Sequence, residues 1–122
     1  MTATQVFNIA MNLIGYNDIN GEISGEAEIK KNALVKIQMI YQELFRAEGK
    51  TEALPVLSSM NDELKLNDDT VRDVMPYGVA MLMAQSEGDG DNQSLMAALY
   101  NQKKARLTRM ENGITDIFGG ES

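Results

Sequence analysis

Residues 79–84 run Val79, Ala80, Met81, Leu82, Met83, Ala84, so a helix drawn through residues 77–84 has no polar face. A helix that is apolar all round is stable only when enclosed, which obliges the rest of the chain to form a layer about it. The apolar run 75–84 is ten residues long and interrupted by Gly78. A bilayer needs about 20, so the run reads as a buried core helix and no membrane partner is expected.

Alternating β-branched patterns are nearly absent elsewhere, whereas apolar residues recur at spacings of three and four. The expected fold is all-α, a small bundle of about four to five helices with one long helix, a buried central helix and a flexible C-terminal tail. The chain of 122 residues has the size of one domain. We read 1–112 as a single helical domain and 113–122 as the tail.

The first helix is expected over 3–14. Thr2 and Gln5 have capping-box spacing, Val6, Ala10, Leu13 and Ile14 form its stripe, and Gly15 ends it. In the loop that follows, Ile19 and Ile23 are expected on the core, Gly21 and Gly25 supply turns, and Ser24 is placed to cap the next helix. That helix, 26–48 with Gly49 as its stop, is expected to be the longest. Ile29, Ala33, Leu34, Ile37, Ile40, Tyr41, Leu44 and Phe45 fall within a sector of about 160°. Val35 and Met39 lie opposite, either as isolated exposed residues or as a subunit contact.

Between 50 and 66, Leu54, Val56, Leu57, Met60, Leu64 and Leu66 are expected to pin the connection to the core, with one helical turn over 59–64. Asn67, Asp68 and Asp69 read as an N-cap and acidic first turn leading to Val71, Val74 and Met75. Pro76 either begins a new helix or kinks a continuous one. After the turn at 87–91, Asp91 or Asn92 is expected to cap the last helix, which ends near 110–112. Leu95, Met96, Leu99, Tyr100, Leu107 and Met110 share one sector, but so do Lys103 and Arg106. Either the two cations snorkel along the core or this half of the helix faces a partner.

Neither Cys nor His occurs, which removes thiol and imidazole chemistry and the usual zinc ligands. Gly49-Lys50-Thr51 lacks the upstream glycine of a phosphate-binding loop, since Leu44 stands there. Asp89, Asp91 and Gln93 start like a calcium loop, but Ser94 replaces its glycine and Tyr100 its bidentate Glu. Glu26 with Glu28, and Asp68 with Asp69, sit at helix starts, where the dipole accounts for them. No serine has a base to activate it. Asn92-Gln93-Ser94 fits a glycosylation sequon by chance, because the N-terminus has no secretory pattern. The nine methionines are read chiefly as core filling. Hence no catalytic residue, cofactor or metal is expected.

Eighteen acidic and eleven basic residues give a net charge of −7, which opposes general binding to nucleic acid. Lys103, Lys104, Arg106 and Arg109 nevertheless cluster. Without an aromatic platform they read as a solvated face more readily than as a phosphate site.

The segment Val74-Met75-Pro76-Tyr77-Gly78-Val79-Ala80-Met81-Leu82-Met83-Ala84-Gln85-Ser86-Glu87-Gly88-Asp89, followed by Leu99-Tyr100-Asn101 and preceded by Leu64-Lys65-Leu66-Asn67-Asp68-Asp69-Thr70-Val71, resembles the head-to-tail connector (adaptor, or head completion) proteins of tailed bacteriophages. The likeness spans about 64–107 and is a packing signature rather than a reactive motif. It implies a non-enzymatic structural protein of a phage or prophage virion neck, made in the host bacterial cytoplasm. It further implies an oligomeric ring below the portal protein, contacts with a tail or stopper protein, and a channel through which DNA passes without specific binding. By the same resemblance the tail reaches the portal, with Ile114, Ile117 and Phe118 as anchors.

A ring requires one patch to meet a different patch. Val35 and Met39 against the Lys103, Arg106 and Arg109 side is one such pairing, and so small a patch predicts a monomer in isolation. The alternative is a cytoplasmic helical adaptor or regulator that binds one partner protein through its last helix and tail.

Overall fold

The computed structural model describes residues 1–17 and 25–111; for Glu26 and residues 108–111 it describes the backbone alone. Among these residues there are five α-helices and no strand: α1 (Ala3–Leu13), α2 (Glu26–Ala47), α3 (Asp68–Asp73), α4 (Met75–Ser86) and α5 (Gly90–Glu111). The fold is all-α. Two helices of 22 residues, α2 and α5, take the place of the single long one expected. Ile19, Ile23 and the segment 112–122 lie outside the described residues.

The start of α1 shows how the chain satisfies a helix end. The first four N–H groups of a helix lack intrahelical acceptors. Here all four are paired: Thr2 N–H to the Gln5 side chain, Ala3 N–H to Asp62 O (3.2 Å), Thr4 N–H to Met60 O (2.8 Å) and Gln5 N–H to Thr2 Oγ1 (3.3 Å), after which Val6 N–H makes the first intrahelical bond, to Thr2 O (3.2 Å). The Gln5 side chain accepts from Thr2 N–H at 2.9 Å, completing the capping box. Two of the acceptors come from the 59–64 segment. That segment is a turn closed by Asp62 N–H to Ser59 O (3.1 Å) and bridged at Glu63 to Thr2, in place of the expected helical turn. Met60 O and Asp62 O serve the start of α1 rather than a helix of the segment's own.

Helix α2 has Gly25, in the left-handed conformation (φ 66°), at its cap position, and the expected Ser24 lies outside the described residues. It ends as expected, with Gly49 at φ 82° just beyond Glu48. Pro76 begins a new helix: α3 stops at Asp73, Val74 intervenes, and Pro76 lies in the first turn of α4, where its missing N–H costs nothing. The cap of α5 is Asp89, just ahead of the expected Asp91 or Asn92. Its Oδ1 accepts from Asn92 N–H at 3.3 Å, and its carbonyl takes Gln93 N–H at 2.9 Å.

Helix α4 is the centre of the bundle and packs on each of the other four helices. Met75, Pro76, Gly78, Val79, Ala80, Met83 and Ala84 are buried. The surrounding layer comes from Val6, Ala10 and Ile14 of the α1 end, from Ala33, Ile37, Ile40, Tyr41, Leu44 and Phe45 of α2, and from Met96 and Tyr100 of α5. Ala3, Phe7 and Met11 are buried too, which widens the α1 stripe beyond the sequence reading. Each large buried side chain contributes about 1.5–3 kcal/mol. In the 50–66 connection Leu57, Leu64 and Leu66 are buried. Val56 is 80% exposed, against expectation, because the chain is held to α2 through Pro55 O and Leu57 N–H on either side of it while the Leu57 side chain takes the buried place.

The polar atoms of Gln38 clamp that connection to α2. Nε2 donates to Pro55 O (3.0 Å) and Oε1 accepts from Leu57 N–H (2.8 Å). At the end of α2, buried Glu48 accepts from Asn67 N–H (2.8 Å) and faces Lys50 Nζ at 2.9 Å. Lys50 Nζ also donates to Lys65 O (2.7 Å), and Tyr41 Oη accepts from Lys65 N–H (2.8 Å), so the entrance to α3 is stitched to α2.

Candidate functional site

The titratable groups that depart from ordinary behaviour serve the fold. Asn92, through its side chain first and its backbone second, holds the Asp89 carboxyl below the usual carboxylate range. Asp89 Oδ2 also accepts from Tyr16 Oη (3.1 Å), and burial with this bond pushes the Tyr16 phenol up to about 12. Asn92 Nδ2 reaches Ile14 O at 3.2 Å, so the acidic turn fastens the end of α1 to the start of α5. Bonds from Ser58 and Ser59 likewise lower Asp62. Burial, and a 2.6 Å bond donated to Glu43 Oε1, raise the Tyr100 phenol. The Ser58 hydroxyl donates to Asp62 Oδ2 (3.2 Å) and that of Ser86 to Met83 O (2.9 Å). Among the described residues no group of three His, Cys, Asp or Glu side chains is placed to hold a metal. None of the described helices is long and apolar enough to cross a membrane.

Two surface features remain. A cleft of about 380 Å³ separates α3 from the C-terminal half of α5, with Asp69, Asp73 and Val74 on one wall and Lys103, Arg106 and Leu107 on the other. Lys103 is half-buried with its ammonium 4.7 Å from the Tyr77 ring centroid, which is the snorkelling alternative. Arg106 is exposed on the rim of the cleft, and the side chain of Arg109 lies outside the described residues. Lys104 turns the other way, to Glu43 at 3.4 Å, so the cations do not form one patch.

The second feature is a shallow groove of about 350 Å³ between α2 and the end of α4, formed by Val35, Lys36, Met39, Leu82, Gln85 and Ser86. Val35 is 63% and Met39 51% exposed. They are one helical turn apart, and half-buried Leu82 joins them into a continuous apolar surface. The α2 pattern singled out Val35 and Met39. Leu82 could not be read from it, because its place beside them depends on how α4 crosses α2.

Leu95 departs from expectation as well. It is 55% exposed, whereas its neighbour Met96 is buried. The α4 contact covers a narrower strip of α5 than the apolar sector in the sequence. Comparison with models of protein families, with curated proteins and with solved structures returns no match for this chain.

Proposed function

We propose that this chain is a structural, non-enzymatic component of a tailed-phage or prophage virion neck, joining portal protein to a tail or stopper protein as an oligomeric ring around the DNA channel. The observation that carries the reading is how the two stretches bearing the connector resemblance meet. Gly78 of the Pro76-Tyr77-Gly78 stretch lies directly under the Tyr100 ring of the Tyr100-Asn101 pair. Asp89, from the acidic turn between them, caps the helix that carries Tyr100. Contact between the two stretches is what a shared packing signature requires.

The net charge of −7 suits the wall of a passage through which DNA moves without being held. The Val35–Met39 groove offers one half of a subunit contact. In this proposal the tail 113–122 reaches the portal through Ile114, Ile117 and Phe118, and the protein works without cofactor in the virion, after synthesis in the host cytoplasm.

Electron microscopy of the purified protein mixed with its portal protein is the test. Rings or caps on the portal are expected, and no association at any salt concentration retires the proposal. Truncation after Asn112 is expected to keep the helix content and abolish portal binding, and unchanged affinity would overturn the role given to the tail. The cleft between α3 and α5 favours a second reading, an adaptor that binds a single partner through its last helix. A stable one-to-one complex with a non-phage protein, lost on Arg106→Glu, would decide for it.

A further inference from the structure

We propose that copies of this chain join head to tail, the Leu95 face of α5 in one copy seating in the Val35–Met39–Leu82 groove of the next. This rests on the ring reading above and supplies its contact.

The two faces point different ways. The Tyr100 hydroxyl bonds Glu43 at 2.6 Å, so that side of α5 is turned toward α2. Leu95 stands five positions earlier and is therefore rotated by about 140° from Tyr100, at about 100° per residue. It points away from α2, the helix that carries Val35 and Met39. A molecule cannot fill its own groove with its own Leu95, and a contact between two unlike patches propagates from copy to copy, closing into a ring if the rotation permits.

Charge selects the same pairing. In a chain of net charge −7, two copies repel over most of their surfaces. The groove is a local exception, with Lys36 in its lining and exposed Lys31 one turn before Val35, while Glu43, one turn after Met39, is paired with Lys104. Leu95 carries the opposite sign beside it, since exposed Asp91 lies one turn earlier on the same face. The Lys103 and Arg106 side is the poorer counterpart, because it is cationic like the groove and Lys103 is occupied with Tyr77 of its own chain. So small an apolar surface makes each contact weak, as small interfaces are. Closure of many such contacts is what would hold a ring.

The chain has no cysteine, which makes the contact directly measurable by cross-linking the full-length protein. Met39→Cys and Leu95→Cys are made separately and together, with Val56→Cys replacing Met39→Cys in a control, and a short bismaleimide is the probe. The double variant is expected to give a ladder of dimers, trimers and larger species several-fold faster than the Val56→Cys/Leu95→Cys control. The two single variants mixed should give only one-to-one dimers, and Lys36→Glu should slow this reaction while Asp91→Lys on the other copy restores it. A ladder no faster than the control overturns the proposal, as does self-linking of the Met39→Cys variant at the rate of the mixed pair. Microscopy on portals separates this contact from the neck assignment. A ring that still forms with Met39→Asp/Leu95→Asp retires the contact alone, whereas a chain that ladders but never meets a portal retires the neck role alone.

Discussion

Gly78 and Tyr100 approach so closely that a Cβ added at 78 would lie 2.8 Å from Tyr100 Cε1, and 3.0 Å from two side-chain carbons of Ile40. The position is where α4 touches α2 and α5 at once. Tyr100 cannot easily yield, since its ring is buried and its hydroxyl is tied to Glu43 at 2.6 Å.

Gly78→Ala is therefore expected to destabilise the fold by up to about 2 kcal/mol. Overpacking costs about 1–3 kcal/mol, and the better helix propensity of alanine offsets about 1 kcal/mol. Urea unfolding followed by circular dichroism measures the change, and an equal or higher midpoint for the variant would contradict the close-approach argument. In a Tyr100→Leu background, itself less stable, the added cost of Gly78→Ala should be smaller than in the natural chain.

The Gln38 clamp makes a second expectation. Gln38→Leu keeps the bulk of the side chain but strands Pro55 O and Leu57 N–H, half-buried groups that lose their only α2 partner. A loss of about 1–3 kcal/mol is expected. Hydrogen exchange should quicken at Leu57 while the α4 amides keep their rank order, because the clamp holds the connection and not the core.

Glu48 joins the end of α2 to the backbone at Asn67 and to Lys50. Glu48→Ala leaves a part-buried N–H and an ammonium without that partner, for an expected cost of about 2 kcal/mol. Glu48→Gln can still accept from Asn67 N–H and should cost less. Thermal melts of the two variants check the order.

Acid should weaken the molecule partly through Asp89. Its carboxyl lies below the ordinary range, chiefly because Asn92 donates to it. A depressed folded value means the stabilisation is complete above the unfolded value of about 3.9 and fades as pH falls through the folded one. The Tm gap between the natural chain and Asp89→Ala should be widest near neutrality and shrink in strong acid. A gap that grows on acidification would reverse the sign.

At the other end of the scale, the Tyr16 phenol is pushed up to about 12 by burial and its bond to Asp89. A phenol raised in the folded state stabilises fully below the unfolded value of about 10, and this is lost as pH climbs through the folded one. Tyrosinate absorbance titration should show late components from both Tyr16 and Tyr100, of which Tyr16→Phe removes one and Asp89→Ala moves that same one to lower pH.

Much of this architecture is local in origin and so is legible in the chain itself. The 3.6-residue period, the all-round apolar stretch and the glycine stops at 15 and 49 depend on neighbours within a turn or two, and helix class, the enclosed α4 and the α2 core face follow from them. The capping box at Thr2 and Gln5 was legible for the same reason. What lay beyond reach involves groups far apart in sequence. Met60 O and Asp62 O cap α1 from another loop, and Asn92 ties Ile14 across 78 positions. Whether Leu95, Val56 or Leu82 meets protein or solvent depends on how wide a strip of each element its neighbour covers. Periodicity states which residues share a face, and only the packing of one helix across another decides how much of that face is left open to a second molecule.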